Sequence, residues 1–191
     1  MNSKHVKGLS VISIADGRRL GSVNHIFVDP VQKQVVGFSV SAGHGLLSSD
    51  PDQGLVVDAK DVHSLGPDAL TLTDTSAARG DATNTTYGGL LDAEQLTKRK
   101  VLTEGGTMVG QIASLEFDPV TYRITGIEAS PGFFKSNRMI PVEQVTNIGE
   151  ELVVVSDAVC AGDPNDAAGS STVTSSSASR FVVGDVDTKP A

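Results

Sequence analysis

The chain has one cysteine, Cys160, and no tryptophan. A single cysteine excludes an intrachain disulfide, and a lone thiol fits a reducing compartment. Aromatic residues make up only 4% of the chain, so a core must be built mainly from Val, Ile and Leu. Positive charge is in the minority: 15 Lys and Arg stand against 23 Asp and Glu, for a net charge of −8. That balance disfavours nucleic acid, whose affinity depends on neutralising phosphates, and direct adsorption to an anionic bilayer. No apolar run approaches the length that crosses a membrane, and MNSKHVKGLSVISIADG lacks the apolar core of a signal peptide. The expectation is a cytoplasmic protein with no membrane span; peripheral association with a membrane protein stays compatible with these absences.

What is present is a repeat. Leu20 to Val40, LGSVNHIFVDPVQKQVVGFSV, recurs in diverged form as Val109 to Ala129, VGQIASLEFDPVTYRITGIEA. The offset is 89 residues between Asp29 and Asp118, Pro30 and Pro119, and Gly37 and Gly126 alike. Both copies carry apolar residues spaced by three and then two: Val23, Ile26, Val28 and Ile112, Leu115, Phe117. A regular strand keeps a period of two, so one extra residue predicts a β-bulge near Asn24-His25 and Ala113-Ser114. Asp29-Pro30 and Asp118-Pro119 suit the first two positions of a type I turn. Gly37 and Gly126 interrupt the return strands, where glycine marks a bend or a close backbone approach. Each copy therefore reads as a bent hairpin, the element from which a short sheet curls into a small barrel.

In chain order, residues 4 to 14 read as a first strand, followed by an Asp16-Gly17 turn. Leu55 to Val62 and Met139 to Val145 read as later strands, and the offset of 83 between Val57 and Ile140 makes the preceding loop six residues longer in the first copy. Thr73 to about Tyr87 is small and polar, the composition of a linker. Gly89 or Asp92 can start one short helical turn. Lys98-Arg99-Lys100 reads as a solvated basic run. The expected organisation is a first barrel over 1–75, a linker over 76–89, a second barrel over 90–160 and a disordered tail over 161–191. The tail is rich in Ser, Gly and Ala, with one apolar triplet, Phe181-Val182-Val183.

These residues resemble the PRC-barrel family. The matching segments are Asp16-Gly17, Leu20-Gly21-Ser22-Val23, Val28-Asp29-Pro30 and Val35-Val36-Gly37-Phe38. In the second copy they are Gly106, Val109-Gly110-Gln111-Ile112, Phe117-Asp118-Pro119 and Ile124-Thr125-Gly126-Ile127. Ile140-Pro141-Val142-Glu143-Gln144-Val145 is similar to the family's Ile-Pro strand, from which Val57-Asp58-Ala59-Lys60-Asp61-Val62 departs by lacking proline. The resemblance implies an all-β fold of two small PRC-type barrels in tandem. It implies protein–protein docking and no catalytic residue. The family includes the cytoplasmic part of the photosynthetic reaction-centre H subunit and the C-terminal domain of the ribosome maturation factor RimM. Analogy therefore gives two alternatives, a photosynthetic electron-transport-associated protein and a ribosome-assembly or RNA-processing factor.

The residues themselves offer little chemistry. His5, His25, His44 and His63 lack the short spacing of a metal pair, and no nucleophile-elbow, zincin, Walker or dinucleotide motif occurs. The expectation is no catalytic residue, no cofactor and no bound metal. Asp29 and Asp118 are assigned to turn formation, together with Pro30, Pro119, Gly37 and Gly126 as structural turn and bulge residues. Candidate partner contacts are Phe133 and Phe134, since two adjacent aromatics in a short extended loop cannot both enter one core, and His44 in its Gly-His-Gly loop. A ligand- or metal-responsive regulator using the His44 loop is a further alternative. The leading reading is a non-enzymatic adaptor that binds a protein partner or itself.

Overall fold

A computed structural model describes residues 1–41, 54–80, 90–132 and 136–160. The first repeat runs α1 (Ser3–Val6), β1 (Ser10–Ser13), β2 (Arg19–Asp29), β3 (Gln34–Ser41), β4 (Leu55–Asp58), β5 (Val62–Leu65) and β6 (Ala69–Leu72). The second runs β7 (Leu91–Asp92), α2 (Ala93–Leu96), β8 (Lys100–Thr103), β9 (Met108–Phe117), β10 (Ile124–Ser130), β11 (Arg138–Pro141), β12 (Val145–Ile148) and β13 (Leu152–Val155). Each repeat builds one sheet, ordered β4-β3-β2-β1-β6-β5 and β11-β10-β9-β8-β13-β12, and β7 of the second repeat joins the first sheet by pairing with β2. The two orders are identical, and each holds one parallel pair, β1 with β6 and β8 with β13. The fold is all-β, two curled sheets of one plan in tandem.

Curvature comes from matched irregularities. β2 pairs Val23 with Val40 and His25 with Ser39, leaving Asn24 as the extra residue. β9 pairs Ser114 with Glu128 and Ile112 with Ala129, leaving Ala113 extra. Both bulges lie where the apolar spacing placed them. A second matched pair, at Val36 and Thr125, bends the return strands just before Gly37 and Gly126. Gly126 is a close approach: a Cβ there would stand 2.8 Å from the Ile140 carbonyl oxygen. Tighter still are Gly21 and Gly110, where a Cβ would meet the Ser41 and Ser130 carbonyl oxygens at 2.1 and 2.3 Å. Each lets the bulged strand fold tightly against the end of its return strand.

Three sequence expectations change. Residues 4 to 14 are not one strand. The Asn2 side chain accepts the Lys4 N–H at 2.9 Å and caps α1, and Gly8 at φ 90° turns the chain before β1. A local side-chain cap outweighs a weak alternation. The strands read at Leu55–Val62 and Met139–Val145 are each broken by a 3₁₀ turn, Ala59–Asp61 and Val142–Gln144, which carries the chain from one sheet edge to the other. Arg99 is not solvated. It is 9% exposed and donates from Nη1 to the Gly149 carbonyl, while Lys98 and Lys100 are exposed.

The buried side chains form one continuous cluster through both repeats. Phe38, Leu70 and Leu72 anchor it in the first barrel, and Phe117, Leu115 and Ile140 in the second. Among the described residues no helix is long and apolar enough to cross a membrane.

Candidate interaction site at the seam of the repeats

The two barrels exchange their leading segments. Asn2 bridges to Glu116 of β9, and β7 pairs with Phe27 and Val28 of β2. Glu116 and Phe27 are the same position of the repeat, 89 residues apart. Helix α1 therefore packs on the second barrel and α2 on the first, with Val6 and Leu96 fully buried. Six-residue segments cannot bury an apolar face alone; the opposite barrel supplies the missing wall.

Different side chains fasten the two crossings. Asn2 Nδ2 donates to Ser114 Oγ at 2.9 Å and to Glu116 Oε1 at 2.8 Å, and Ser114 Oγ donates to Glu128 Oε2 at 2.5 Å. Ser114 and Asn137 hold the Glu128 carboxyl below the usual carboxylate range. At the matching place His25 Nδ1 and Asp92 Oδ2 lie 2.6 Å apart, and Lys7 Nζ donates to Glu94 Oε2 at 2.6 Å. Lys7 keeps the Glu94 carboxyl low. Asp92 Oδ1 also accepts the Glu94 N–H and caps α2, the helical turn expected from Asp92.

A third contact is reciprocal between the two repeats. The Val35 N–H donates to the Tyr122 carbonyl at 2.8 Å, and the Ile124 N–H donates to the Lys33 carbonyl at 2.9 Å. Lys33 and Tyr122 are equivalent positions, and both have positive φ, 51° and 60°. Left-handed backbone at a non-glycine residue costs roughly 1 kcal/mol or more and persists where its surroundings fix it. Here each side chain also reaches the other barrel. Lys33 Nζ donates to the Val145 carbonyl at 2.6 Å, and the Tyr122 ring meets Phe38 edge-on at 6.1 Å. Burial pushes the Tyr122 hydroxyl up.

Between α1 and α2 lies a cavity of about 170 Å³, walled by Ser3, Lys7, Ile26, Ala93 and Thr97 among others. Asp92 and Glu94 also line it, and these two and His25 each place one ligand-type atom within 4.8 Å of the others. Nitrogen and carboxylate donors at that spacing suit a divalent transition ion. The equivalent triplet in the other crossing is Ser114, Asn2 and Lys4, which is no ligand set. The shared feature of the two crossings is a clasp between leading segment and bulge.

Asp29 Oδ1 accepts the N–H groups of Val31 and Gln32 at 2.8 and 2.9 Å. Asp118 Oδ1 accepts those of Val120 and Thr121 at 2.9 and 2.7 Å. These bonds hold the Asp118 carboxyl low. Pro30 and Pro119 follow in the same tips, and the next residues, Val31 and Val120, are 88% and 82% exposed. An open cleft of about 650 Å³ lies beside Met108, Gly110, Pro131 and Asn137, with Met108 52% exposed. It flanks the segment that carries Phe133 and Phe134. Those two residues, His44 and the Phe181 triplet lie outside the described residues. Sequence reasoning missed the His25–Asp92 pair and the Lys33–Tyr122 crossing. The helix-start signal at Asp92 was visible, but nothing local told which strand it would meet.

Comparison with protein families matches the PRC-barrel domain twice, over residues 1–79 and 89–158. Comparison with the curated proteins gives no match. With both repeats matched and both sheets built to one plan, the chain belongs to the PRC-barrel family.

Proposed function

We propose that the protein is a non-enzymatic adaptor that docks a protein segment on the rim of its second barrel. The observation that carries this reading is the open cleft of about 650 Å³ with half-exposed Met108 at its wall, at the base of the 130–138 loop. Methionine adapts its shape to varied apolar partners, and aromatic residues such as Phe133 and Phe134 anchor interfaces. The matched tips at Val31 and Val120 add two further apolar contacts on carboxylate-clamped, preorganised turns. The test is affinity purification from the native cell with mass spectrometry, using the wild-type chain and Phe133→Ala/Phe134→Ala. The partner is expected to be lost or strongly depleted with the double variant. Equal recovery removes the rim from the reading.

A second reading has one observation of its own, the His25, Asp92 and Glu94 cluster. In it an ion closes the clasp between α2 and β2 and the protein responds to metal. Thermal unfolding with added Zn²⁺ or Mn²⁺ separates the two readings, since an ion that binds only the folded chain raises Tm in wild type and not in His25→Ala. The ribosome-assembly and photosynthetic alternatives rest on resemblance alone.

A further inference from the structure

The cavity between α1 and α2 is walled by equivalent residues of the two repeats. Counted from the capping side chains Asn2 and Asp92, Ser3 is equivalent to Ala93, Lys4 to Glu94 and Lys7 to Thr97, and all of these line it. Val6 and Leu96 put their bulk into the barrels, so the small Ser3 and Ala93 line the gap between the helices. With Ile26 of β2 they make a buried floor, while Lys4, Lys7, Asn24 and Glu94 form an exposed rim. Most of the polar lining is already committed. Ser3 Oγ accepts the Leu115 N–H at 3.0 Å, and Thr97 Oγ1 donates to the Glu94 carbonyl at 2.7 Å. Lys7 is paired with Glu94, and Asp92 Oδ2 is engaged by His25. Among the described residues, the Lys4 ammonium and the Asn24 side-chain amide are the two polar lining groups without a hydrogen-bond partner. Glu128, which Lys4 influences at longer range, already holds Ser114 and Asn137. Asn24 is the extra residue of the β2 bulge, a device that re-aims a side chain, and Ala113 stands at the matching place.

Floor and rim together specify a ligand. An apolar cavity of about 150 Å³ is enough for a benzene ring, and this one measures about 170 Å³. Drug-sized and nucleotide-sized molecules need pockets of about 300 Å³ or more. Two uncommitted donors at the mouth, one of them cationic, complement a negatively charged acceptor. We propose that the cavity binds a small monocarboxylate whose apolar body is about the size of a phenyl ring. The body enters over Ser3, Ile26 and Ala93, and the carboxylate accepts hydrogen bonds from Lys4 Nζ and Asn24 Nδ2. The site is separate from the cleft beside Met108, and it needs no ion at His25.

Titration of the isotope-labelled full chain with benzoate, followed by NMR in the presence of EDTA, tests this. Saturable shifts are expected at Ser3, Ile26 and Ala93 in wild type. Benzyl alcohol, which has the ring without the charge, should bind about tenfold more weakly, the effect of one charge-assisted hydrogen bond. Lys4→Gln, an exposed change that leaves the floor intact, should weaken benzoate by a similar factor and leave benzyl alcohol unchanged. Ala93→Leu fills the floor and should abolish binding of both. No saturable benzoate shifts in wild type, or shifts centred elsewhere, overturn the proposal. Equal binding of the two probes overturns it as well, as does benzoate affinity that Lys4→Gln leaves intact.

Discussion

The two crossings of the seam bury the same shape with different chemistry. Asn2 fastens the first segment to Ser114 and Glu116 through a network whose hydroxyl is fully buried. Asp92 fastens the second to His25, with Lys7 and Glu94 alongside, in a cluster reached by solvent. What the copies hold in common is packing and backbone shape: Val6 and Leu96, the bulges at Asn24 and Ala113, the tight glycines at 21 and 110. What differs is the polar fastening, buried at Ser114 and reached by solvent at His25. Shape is therefore the constrained property, and the polar fastenings can differ as long as each buried donor or acceptor is satisfied.

The comparison breaks most sharply at the glycines. Gly21→Ala and Gly110→Ala each force a methyl into a carbonyl oxygen and should cost about 3 kcal/mol, read as a fall in the urea midpoint. Similar losses at both sites fit two copies of one strand packing; an effect at one only would split them. Next come the exchanged segments. Leu96→Ala should cost about 3 kcal/mol and Val6→Ala about 2 kcal/mol. Because each residue fills the opposite barrel, calorimetry should show one transition for both barrels in wild type and in each variant. Two separated transitions would remove the claim that the segments join the barrels.

The polar fastenings carry smaller effects. Ser114→Ala leaves Asn2 and Glu128 without their buried partner and should cost about 2 kcal/mol. His25→Ala, at a solvated position, should cost about 1 kcal/mol. The inverse order would mean that the His25 cluster is more than a clasp.

The smallest effect is in the turns. Thr121 and Val120 N–H groups and the Thr121 hydroxyl depress the folded-state pKa of Asp118 below its unfolded value. Its contribution is fully present above the ordinary Asp range near pH 4 and is lost as pH falls through the depressed folded value. Asp118→Asn should therefore flatten the acid limb of stability below about pH 4, measured by urea unfolding at stepped pH. An unchanged limb would mean that these bonds do not favour the ionised carboxyl.

Periodicity read without coordinates located the bulges because an extra residue shifts every later side chain to the other face, and a core must register that shift. The same logic made the Asp-Pro tips legible, since those bonds run within four residues. Residues 4 to 14 misled because a cap at Asn2 and a turn at Gly8 are stronger local terms than five loosely alternating apolar residues. Arg99 misled because charge predicts exposure until a carbonyl such as that of Gly149 is brought within reach.

The amino-acid order by itself determined two curled β-units of one plan, down to the residue at which each strand bulges, because bulge, turn and glycine signals act within a few residues. It could not determine that Met1–Val6 belongs to the second barrel's wall and Leu91–Leu96 to the first's. Either segment could equally cover its own unit as far as local pattern goes. Only the assembled pair of barrels, with hairpins crossed at Lys33 and Tyr122, sets which apolar wall each short segment meets.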